Sequence, residues 1–459
     1  MKERDVAMKT KNYIVILLLI IALVPITSCS NKEAVSDETK TKDSKAEIKI
    51  DVMKHENYML AAISEFNKTH DNVSINYGDL ITFSEEYRNK YITSLAVGEG
   101  PDIIRIEPHL FVAVNKMVNS GIFYDLNKLI DKDKGFKLSD YNQKVLECGV
   151  VNSKRFYIPL GYSFRAFFVK GGALKENGFT TEGPNWTLAN FADEAYSYMQ
   201  KNKDKGKGFM VTGYLSLSDV VKISGINFID YVKKDAKIDS PEFIELINIY
   251  KKLNSTVKVA REINASYTGS DDVLEISTSC PEFENGTALI MDNRLVYPMW
   301  FRDYINQKTN LYLFPQYTDK KTILLEPMVS LAINSKCTHK DEAYEFLKLL
   351  LSDEYQSIGS MKRNFPYLPV NTKAYLNNVK CYISNLGDQA VEETYDREKR
   401  KLQVEAQLKE IDSISRCDTV DAQIYNIMDS EAKAFIDGKY SAEKTAKIIQ
   451  DKVMLYLNE

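Results

Sequence analysis

Apolar and polar residues alternate from Glu47 to Val52, which predicts a β-strand. The pattern then changes to the spacing of one helix face, with apolar residues at Met59, Ala62, Ile63 and Phe66. Alternation returns at 73–77 and predicts a second strand. A strand, a helix and a strand over about thirty residues form a βαβ unit, so the chain is predicted to contain a parallel sheet.

The length of the chain predicts more than one core. More than 400 residues follow the first predicted strand, which exceeds what a single hydrophobic core usually supports, so two lobes are expected. Ligands of α/β proteins bind near the carboxyl ends of the strands. His55, Glu56 and Asn57 stand where the first predicted strand ends, and this is the first indication of a site.

The amino-terminal segment has the pattern of an export signal. Lys2, Arg4, Lys9 and Lys11 precede an apolar run from Tyr13 to Ile26. A membrane-spanning helix needs about 20 apolar residues, and this run is shorter. Residues 1–28 are therefore interpreted as a signal peptide that is removed.

The end of that run, Ile26-Thr27-Ser28-Cys29, resembles the bacterial lipobox. The resemblance implies that Cys29 carries a diacylglycerol group, and two or more acyl chains hold a protein firmly to a membrane. Residues 29–45 are polar and lack aromatic residues, which predicts a flexible linker. The alternative is an ordinary signal peptide that happens to contain a cysteine.

Composition narrows the functional classes. The formal net charge is -4, from 60 basic and 64 acidic residues, with no dense basic segment, so nucleic acid is not an expected partner. Besides Cys29 there are five widely spaced cysteines, at 148, 280, 337, 381 and 417. They favour buried free thiols, with one long-range disulfide bond as the alternative. Motifs for phosphate loops, zinc helices and serine nucleophile elbows are absent from the sequence.

Several stretches occur in an order that resembles bacterial extracellular solute-binding proteins of the maltose-binding type. They include "YITSLAVGEGPDIIRIE", "SKRFYIPLGYSFRAFFVKGGALKENGF", "EFENGTALIMDN" and "PMVSLAINSKCTHKDEAYEFLKLLLSDEYQ". The chain departs from the family pattern at Val169-Lys170, where Tyr-Asn is common, and at Glu326. These departures leave the identity of the ligand open.

The resemblance implies an α/β protein with the two-lobed periplasmic-binding-protein type II (Venus-flytrap) fold, with a hinge and a ligand cleft between the lobes. Residues 46–125 and 292–350 are expected to form one lobe, and residues 126–291 and 351–459 the other. The implied protein is a monomer, lipid-anchored on the extracytoplasmic face of the cell membrane. It delivers a carbohydrate, expected to be an oligosaccharide, to the permease subunits of an ABC transporter. No catalytic residue, metal or cofactor is expected.

Candidate ligand contacts lie near the ends of predicted strands that face the cleft: His55, Asn57, Arg105, Glu107, Phe164, Arg165, Tyr214, Asp292, Asn293, Trp300 and Glu326. Arginine donors and carboxylate acceptors suit the hydroxyls of a sugar, and Trp300 offers a ring for stacking. A structural ion pair is the alternative interpretation of Arg105 and Glu107. Trp186 is interpreted as a packing residue. Replacing Arg105 with alanine is expected to abolish binding and to leave the melting of the ligand-free protein almost unchanged.

Two other functions remain open from the sequence. A surface receptor for sensing or adhesion could keep the same fold and feed no transporter. A carbohydrate-active enzyme needs only two suitably placed carboxylates, which the sequence supplies in abundance.

Overall fold

The computed structural model describes residues 45–53, 56–81, 84–107, 113–183, 185–212, 215–259, 281–295, 309–317, 322–357, 365, 367–384, 402, 406, 409 and 415–459. The predicted signal peptide, Cys29 and the predicted linker up to residue 44 lie outside these residues, and so do the candidate contacts His55, Tyr214 and Trp300.

The strands are β1 (Ala46–Met53), β2 (Val73–Ile81), β3 (Ile103–Ile106), β4 (Val150–Val151), β5 (Lys154–Arg155), β6 (Ile158–Lys170), β7 (Gly208–Thr212), β8 (Ile229–Asp230), β9 (Asp235–Ala236), β10 (Val257–Val259), β11 (Ala288–Leu295), β12 (Thr309–Tyr312), β13 (Ile323–Ile333), β14 (Leu368–Pro369) and β15 (Ser415–Cys417).

The helices are α1 (Asn57–Thr69), α2 (Glu85–Val97), α3 (Val114–Asn119), α4 (Asn127–Ile130), α5 (Gln143–Leu146), α6 (Ala173–Glu176), α7 (Leu188–Asn202), α8 (Leu217–Ser224), α9 (Pro241–Asn254), α10 (Pro281–Glu284), α11 (Lys340–Leu351), α12 (Asp353–Gln356), α13 (Thr372–Ser384), α14 (Ala422–Ile436) and α15 (Ala442–Asn458). Short 3₁₀ helices lie at Leu138–Asp140, Glu147–Gly149 and Lys203–Lys205.

The predicted βαβ unit is present at the start of the described chain. β1 and β2 are parallel, with Ile48 opposite Ile75. The apolar residues predicted on one face of α1 are buried, and Tyr58 joins them. Each such side chain contributes about 1.5–3 kcal/mol relative to an exposed one, so packing holds α1 against the sheet. Phe66 of α1 makes an edge contact with Phe346 of α11, with 5.7 Å between ring centres.

β6 belongs to two sheets. Its first half pairs antiparallel with β13, where Ser163 lies opposite Glu326. Its second half pairs antiparallel with β11, beginning with Phe164 opposite Leu295. The first sheet continues from β13 through β3 and β1 to β2, and the second continues from β11 through β7 to β10. The change of partner between positions 163 and 164 marks the junction of two lobes.

Each lobe has its own helices. One buried core contains α1, α11 and strands of the first sheet, and it extends to Phe283 of α10, Ala288 of β11 and Leu311 of β12. A second buried core contains Phe167 and Val169 of β6 together with α7, α8, α9, α14 and α15. Side chains on the second half of β6 alternate between these cores, since Phe164, Ala166 and Phe168 pack in the first. The alternation follows from the period of two along a strand.

The strand pairing favours lobe limits that differ from those expected from the sequence. β14 pairs with the first half of β6, and Leu126 packs in the first core, although both segments are expected in the second lobe from the sequence. β12 pairs with the second half of β6, although it is assigned to the first lobe. The chain changes lobes within or beside paired strands, where no change of composition marks the limit. We propose the limits 46–163 with 323–417, and 164–317 with 418–459.

The favoured interpretation of the cysteines is wrong for two of them. Cys148 and Cys417 form a disulfide bond, with 5.4 Å between their Cα atoms. Their separation in the chain hides this pairing from spacing rules, because the fold brings the 3₁₀ helix at Glu147–Gly149 beside β15. Cys337 is a buried free thiol, and Cys381 is partly buried. Cys280 lies outside the described residues.

Among the described helices, none combines the length and the apolar character that a membrane crossing requires.

Candidate functional site

A buried ion cluster lies at the carboxyl ends of β1 and β3. Arg105 of β3 is fully buried, and its Nη1 donates to Oε2 of Glu56 at 2.5 Å. Its Nε donates to the carboxylate of Glu107. The same Oε2 of Glu56 accepts from the backbone N–H of Met53 at 3.1 Å. The cluster therefore joins the end of β1, the end of β3 and the residue that precedes α1.

Two tyrosines complete this cluster. The hydroxyl of Tyr58 donates to Glu56, and the hydroxyl of Tyr91 accepts from the backbone N–H of Arg105 at 3.1 Å. Burial raises the pKa of Tyr58 well above its usual value, and the negative charge of Glu56 raises it further. Burial also raises the pKa of Glu107, although the charge of Arg105 offsets part of this effect.

One nitrogen of Arg105 is left over. Its Nη2 is buried and has no hydrogen-bond partner within the described part of the chain. An unpaired buried donor costs free energy, about 1–3 kcal/mol, unless another group accepts from it. Nη2 of Arg105 is thus available to donate a hydrogen bond, while the other two nitrogens of the guanidinium bind carboxylates of the same lobe.

A second ion cluster lies where the two sheets meet. Arg165 of β6 donates from Nε to Oδ1 of Asp292 at 2.9 Å and from Nη2 to the other oxygen of the same carboxylate. This is the paired geometry in which a guanidinium binds a carboxylate most specifically. Nη1 of Arg165 lies 2.5 Å from Oδ1 of Asp219 in α8. Arg165 therefore connects β6 with β11 and α8.

Lys222 extends this cluster along α8. Its Nζ lies 3.2 Å from Oε2 of Glu326 in β13 and 3.6 Å from Oδ2 of Asp418. The ammonium also lies 4.5 Å from the ring centre of Tyr425. The Tyr425 hydroxyl donates to Oδ1 of Asp418 at 2.9 Å. One lysine thus meets two carboxylates and an aromatic face from three different segments.

The acids of the second cluster have pKa shifts of opposite sign. Burial raises the pKa of Asp219, but the charges of Arg165 and Lys222 lower it by more, to about 2. Burial raises the pKa of Asp418, which Lys222 lowers only in part and Glu326 raises further. In the ion pairs among the described residues, four carboxyl groups, at positions 219, 292, 326 and 418, face two cations here. This balance disfavours an anionic ligand.

A small cavity adjoins the second cluster. Its polar lining consists of both cations of the cluster, acids of α8 and β13, and two uncharged side chains that can donate and accept. The lining residues are Arg165, Asp219, Lys222, Ile223, Leu313, Phe314, Gln316, Thr322, Ile323, Leu324 and Glu326. Donors and acceptors beside an apolar wall are the elements that a hydroxyl-rich solute requires. No cluster with the composition of a metal site occurs among the described residues.

The structure brings several predicted contacts together. Arg105 and Glu107 meet in the first cluster, and Arg165, Asp292 and Glu326 meet in the second. The direct ion pair of Arg105 and Glu107 is the structural alternative left open by the sequence. Whether any of these residues contacts a ligand stays a prediction.

The other described candidates are neighbours in the chain of cluster residues: Asn57 follows Glu56, Phe164 precedes Arg165, and Asn293 follows Asp292. Asn57 is exposed at the first position of α1. The side chain of Phe164 is buried in the first core, so it packs rather than faces a cleft in this conformation. Asn293 lies within β11, opposite Ala166 of β6. The packing interpretation of Trp186 is confirmed, since its ring makes an edge contact with Phe191 at 5.7 Å.

Sequence reasoning missed Asp219, Lys222, Asp418 and Tyr425. A signal existed for Asp219, because Ser216-Leu217-Ser218-Asp219 has the spacing of a helix-capping box, and both capping bonds are present. A capping box marks the start of a helix and so locates α8 beside the end of β7. Asp418 and Tyr425 carry no comparable signal, since their partners lie far away in the chain.

Two α/β sheets that share a strand, with charged side chains from both collected at the junction, define a two-lobed binding protein. A family model for bacterial extracellular solute-binding proteins matches residues 54–357, and the chain belongs to this family. The resemblance and the fold class inferred from the sequence are thereby confirmed. The family is one of binding proteins that work outside the cytoplasm. A search of curated protein sequences found no match.

Solved structures share the fold at low sequence identity. An ABC substrate-binding protein from Listeria monocytogenes, in complex with cycloalternan, is 16% identical with a TM-score of 0.62, and the match covers 90% of this chain and 100% of that one. The sugar-binding protein MalE from Xanthomonas citri is 12% identical with a TM-score of 0.65, over 90% and 98% of the two chains. The GacH receptor of Streptomyces glaucescens, solved unliganded and with acarbose, is 16% identical with a TM-score of 0.59, over 91% and 100%.

Proposed function

We propose that this protein captures a carbohydrate, an oligosaccharide in particular, between its two lobes and delivers it to the permease subunits of an ABC transporter. Membership of the solute-binding family is the observation that carries the proposal. One protein of the same fold was solved with cycloalternan and another with acarbose, and a third is named as a binding protein for cyclic α-maltosyl-1,6-maltose. These similarities support the class of ligand and leave its identity to experiment.

The charged residues at the junction support a neutral ligand. Arg165 and Lys222 supply donors, and Glu326 supplies acceptor oxygens, at the place where two lobes would close on a solute. Excess carboxylate in the same cluster disfavours phosphorylated sugars and uronic acids. A dissociation constant near the micromolar range, about -8 kcal/mol, suits capture followed by release.

Thermal unfolding against a ligand panel tests the proposal. The panel contains linear and cyclic α-glucans, acarbose, and a second group of amino acids, peptides and polyamines. A ligand at 100 times its dissociation constant stabilises the protein by about 2.7 kcal/mol, which raises the melting temperature measurably. Stabilisation by the second group alone would contradict the assignment of a carbohydrate.

Delivery to a transporter requires a separate test. Deletion of the protein should abolish uptake of the radiolabelled ligand by whole cells, and the unaltered chain should restore it. Normal uptake in the deletion strain would favour a sensing or adhesion receptor. Conversion of the ligand by the purified protein would favour a carbohydrate-active enzyme.

We also propose a lipid anchor on Cys29, which rests on the lipobox resemblance alone. The disulfide bond supports an oxidising, extracytoplasmic location, because such bonds are rare in the cytosol. Mass spectrometry of the membrane fraction should show a diacylglycerol thioether at Cys29. A Cys29→Ser variant that stays in that fraction would contradict the anchor.

A further inference from the structure

The short helix α8 contacts every place at which the described chain passes between the lobes. These three passages between the lobes are β6 itself (the first), the segment from β12 to β13 (the second) and the segment from β15 to α14 (the third). α8 packs in the second core with α9 and α14. Its polar side chains reach out of that core toward all three segments.

The first contact is made by Asp219, whose carboxylate lies 2.5 Å from Arg165 of β6. Arg165 stands two positions beyond the point at which β6 changes its sheet partner. The second contact is the ion pair of Lys222 with Glu326, which lies opposite Ser163 at that same point. Both contacts therefore hold α8 to the junction of the sheets.

The third contact ties α8 to the segment after β15. Lys222 lies 3.6 Å from Asp418, and Arg416 donates from Nη2 to the backbone oxygen of Gly225 at 3.2 Å. At the same end of the helix, the backbone oxygen of Ser224 accepts from the N–H of Tyr317 at 3.3 Å. The last turn of α8 thus bonds to both the second and the third passage.

These ion pairs are shielded from water. The side chains of Lys222, Glu326 and Asp418 are 17%, 13% and 8% exposed. Shielded charges attract more strongly than surface charges, and a shielded charge that loses its partner carries a desolvation cost. A rotation of the lobes that moves β13 away from α8 would separate Lys222 from Glu326 and would therefore incur this desolvation cost. The arrangement of the lobes is therefore coupled to the position of one ammonium group.

The other end of α8 is fixed within the second lobe. Ser216 caps the helix directly after the carboxyl end of β7, and its hydroxyl accepts from the N–H of Asp219 at 3.1 Å. Ser218 is fixed by Asp429 of α14, with bonds of 2.8 and 2.7 Å. α8 is thus held rigidly within its lobe at one end and bonded to the hinge segments at the other.

We propose that α8 sets the angle between the lobes, and that Lys222 is the positioning residue through which it does so. Lys222 holds the second and third passages together by sharing its charge between Glu326 and Asp418. The inference goes beyond the binding function, because it concerns the ligand-free protein and holds for any solute. Its test uses no ligand, so a failed carbohydrate assignment leaves the result valid.

The test measures the distance between the lobes by pulsed electron paramagnetic resonance. Spin labels are attached to ketone-bearing residues introduced at Val97 of α2 and at Val232, which are 60% and 86% exposed, so all cysteines stay intact. Lys222→Met is compared with Lys252→Met. Lys252 pairs with Asp193 within the second lobe at an exposed site, and its loss leaves the hinge segments untouched.

Lys222→Met is expected to change the distance distribution, and Lys252→Met is expected to leave it as in the parent. Lys222→Arg, which keeps the charge, should restore much of the parental distribution. An unchanged distribution in folded Lys222→Met would overturn the proposal, and so would the same change in both methionine variants. If Lys222→Met does not fold, Glu326→Gln and Asp418→Asn replace it, since each removes only one partner of the lysine.

Discussion

Cys148 and Cys417 are joined by a disulfide bond, although 269 positions separate them in the chain. Both are buried in a small core beside β3 and α2. The bond fastens β15, the last strand before the chain enters the final two helices, to a 3₁₀ helix of the first lobe. The third passage between the lobes is thus held by a covalent bond at Cys417 and by Lys222 at the next residue, Asp418.

Loss of this bond should lower stability strongly. A closed loop of this length restricts the unfolded chain and contributes about 5 kcal/mol in the chain-entropy description. Cys148→Ser is expected to lower the free energy of unfolding by about that amount, measured by urea titration. The matched control is Cys381→Ser, which replaces a cysteine that is only partly buried. Equal stability of both variants would contradict the prediction.

Replacing Arg105 should destabilise the ligand-free protein, contrary to the expectation from the sequence alone. Arg105→Met leaves the carboxylates of Glu56 and Glu107 buried without their cation. The expected loss is about 3–5 kcal/mol, measured by chemical unfolding without ligand.

The control removes all three charges of the first cluster. The triple variant with Glu56→Leu, Arg105→Met and Glu107→Leu buries no unpaired charge and should be more stable than Arg105→Met alone. A triple variant that is less stable than the single one would show that the ion cluster itself supplies the stability.

Asp219 should stabilise the fold only above strongly acidic pH. Its pKa is about 2 in the folded protein because Arg165 and Lys222 outweigh burial, and about 3.9 in an unfolded chain. The stabilisation, about 2–3 kcal/mol, is complete above about pH 5 and is lost progressively as the pH falls through 2.

Asp219→Asn should therefore differ from the parent by that amount at pH 6, and the difference should shrink on acidification. Urea unfolding at several pH values measures it. Asp193→Asn, which removes the exposed partner of Lys252, is the control and should show a small difference throughout. A difference for Asp219→Asn that does not depend on pH would argue against the ion pairs as its cause.

Asp421 should have the opposite pH dependence. Burial raises its pKa, although hydrogen bonds from Asn115, Tyr456 and Tyr231 offset part of the rise. The folded protein then binds more protons than the unfolded chain, so this group lowers the free energy of unfolding as the pH rises above about 4.

In the parent protein, the backbone N–H of Asn115 donates to Oδ1 of Asp421 at 3.0 Å. Asp421→Asn keeps a side-chain oxygen that can accept this bond, and it has no charge to bury. Its stability relative to the parent is expected to increase from pH 4 to pH 7, measured by denaturant unfolding. A relative stability that decreases over this range would mean that the carboxylate is favoured in the fold and would contradict the stated shift.

The sequence predicts the local elements of this fold well and its long-range contacts poorly. The spacing of Met59, Ala62, Ile63 and Phe66 identifies a helix because one buried face repeats within a single element. The two sheet partners of β6 are invisible to such a pattern, because Arg165 and Asp292 are 127 positions apart when they meet. The large separation in sequence likewise hides the partner of Cys148.

Burial explains why the candidate site was only partly predicted. Arg105 and Glu107 are polar residues at the end of a strand, which favours a ligand contact, yet Glu56 on the neighbouring segment buries both in an ion cluster. Phe164 follows the alternation of β6 into the first core. Lys222 was missed because its three partners come from segments that only the fold brings together.

The most direct test of the central claim follows binding, shape and chemistry in one sample. Calorimetric titration of the purified protein with the neutral oligosaccharides of the panel is combined with small-angle scattering and with chromatography of the recovered sugar. We expect saturable binding at one site per chain, a more compact particle when bound, and a sugar recovered intact. Absence of binding by every carbohydrate, or a sugar recovered in altered form, would contradict it.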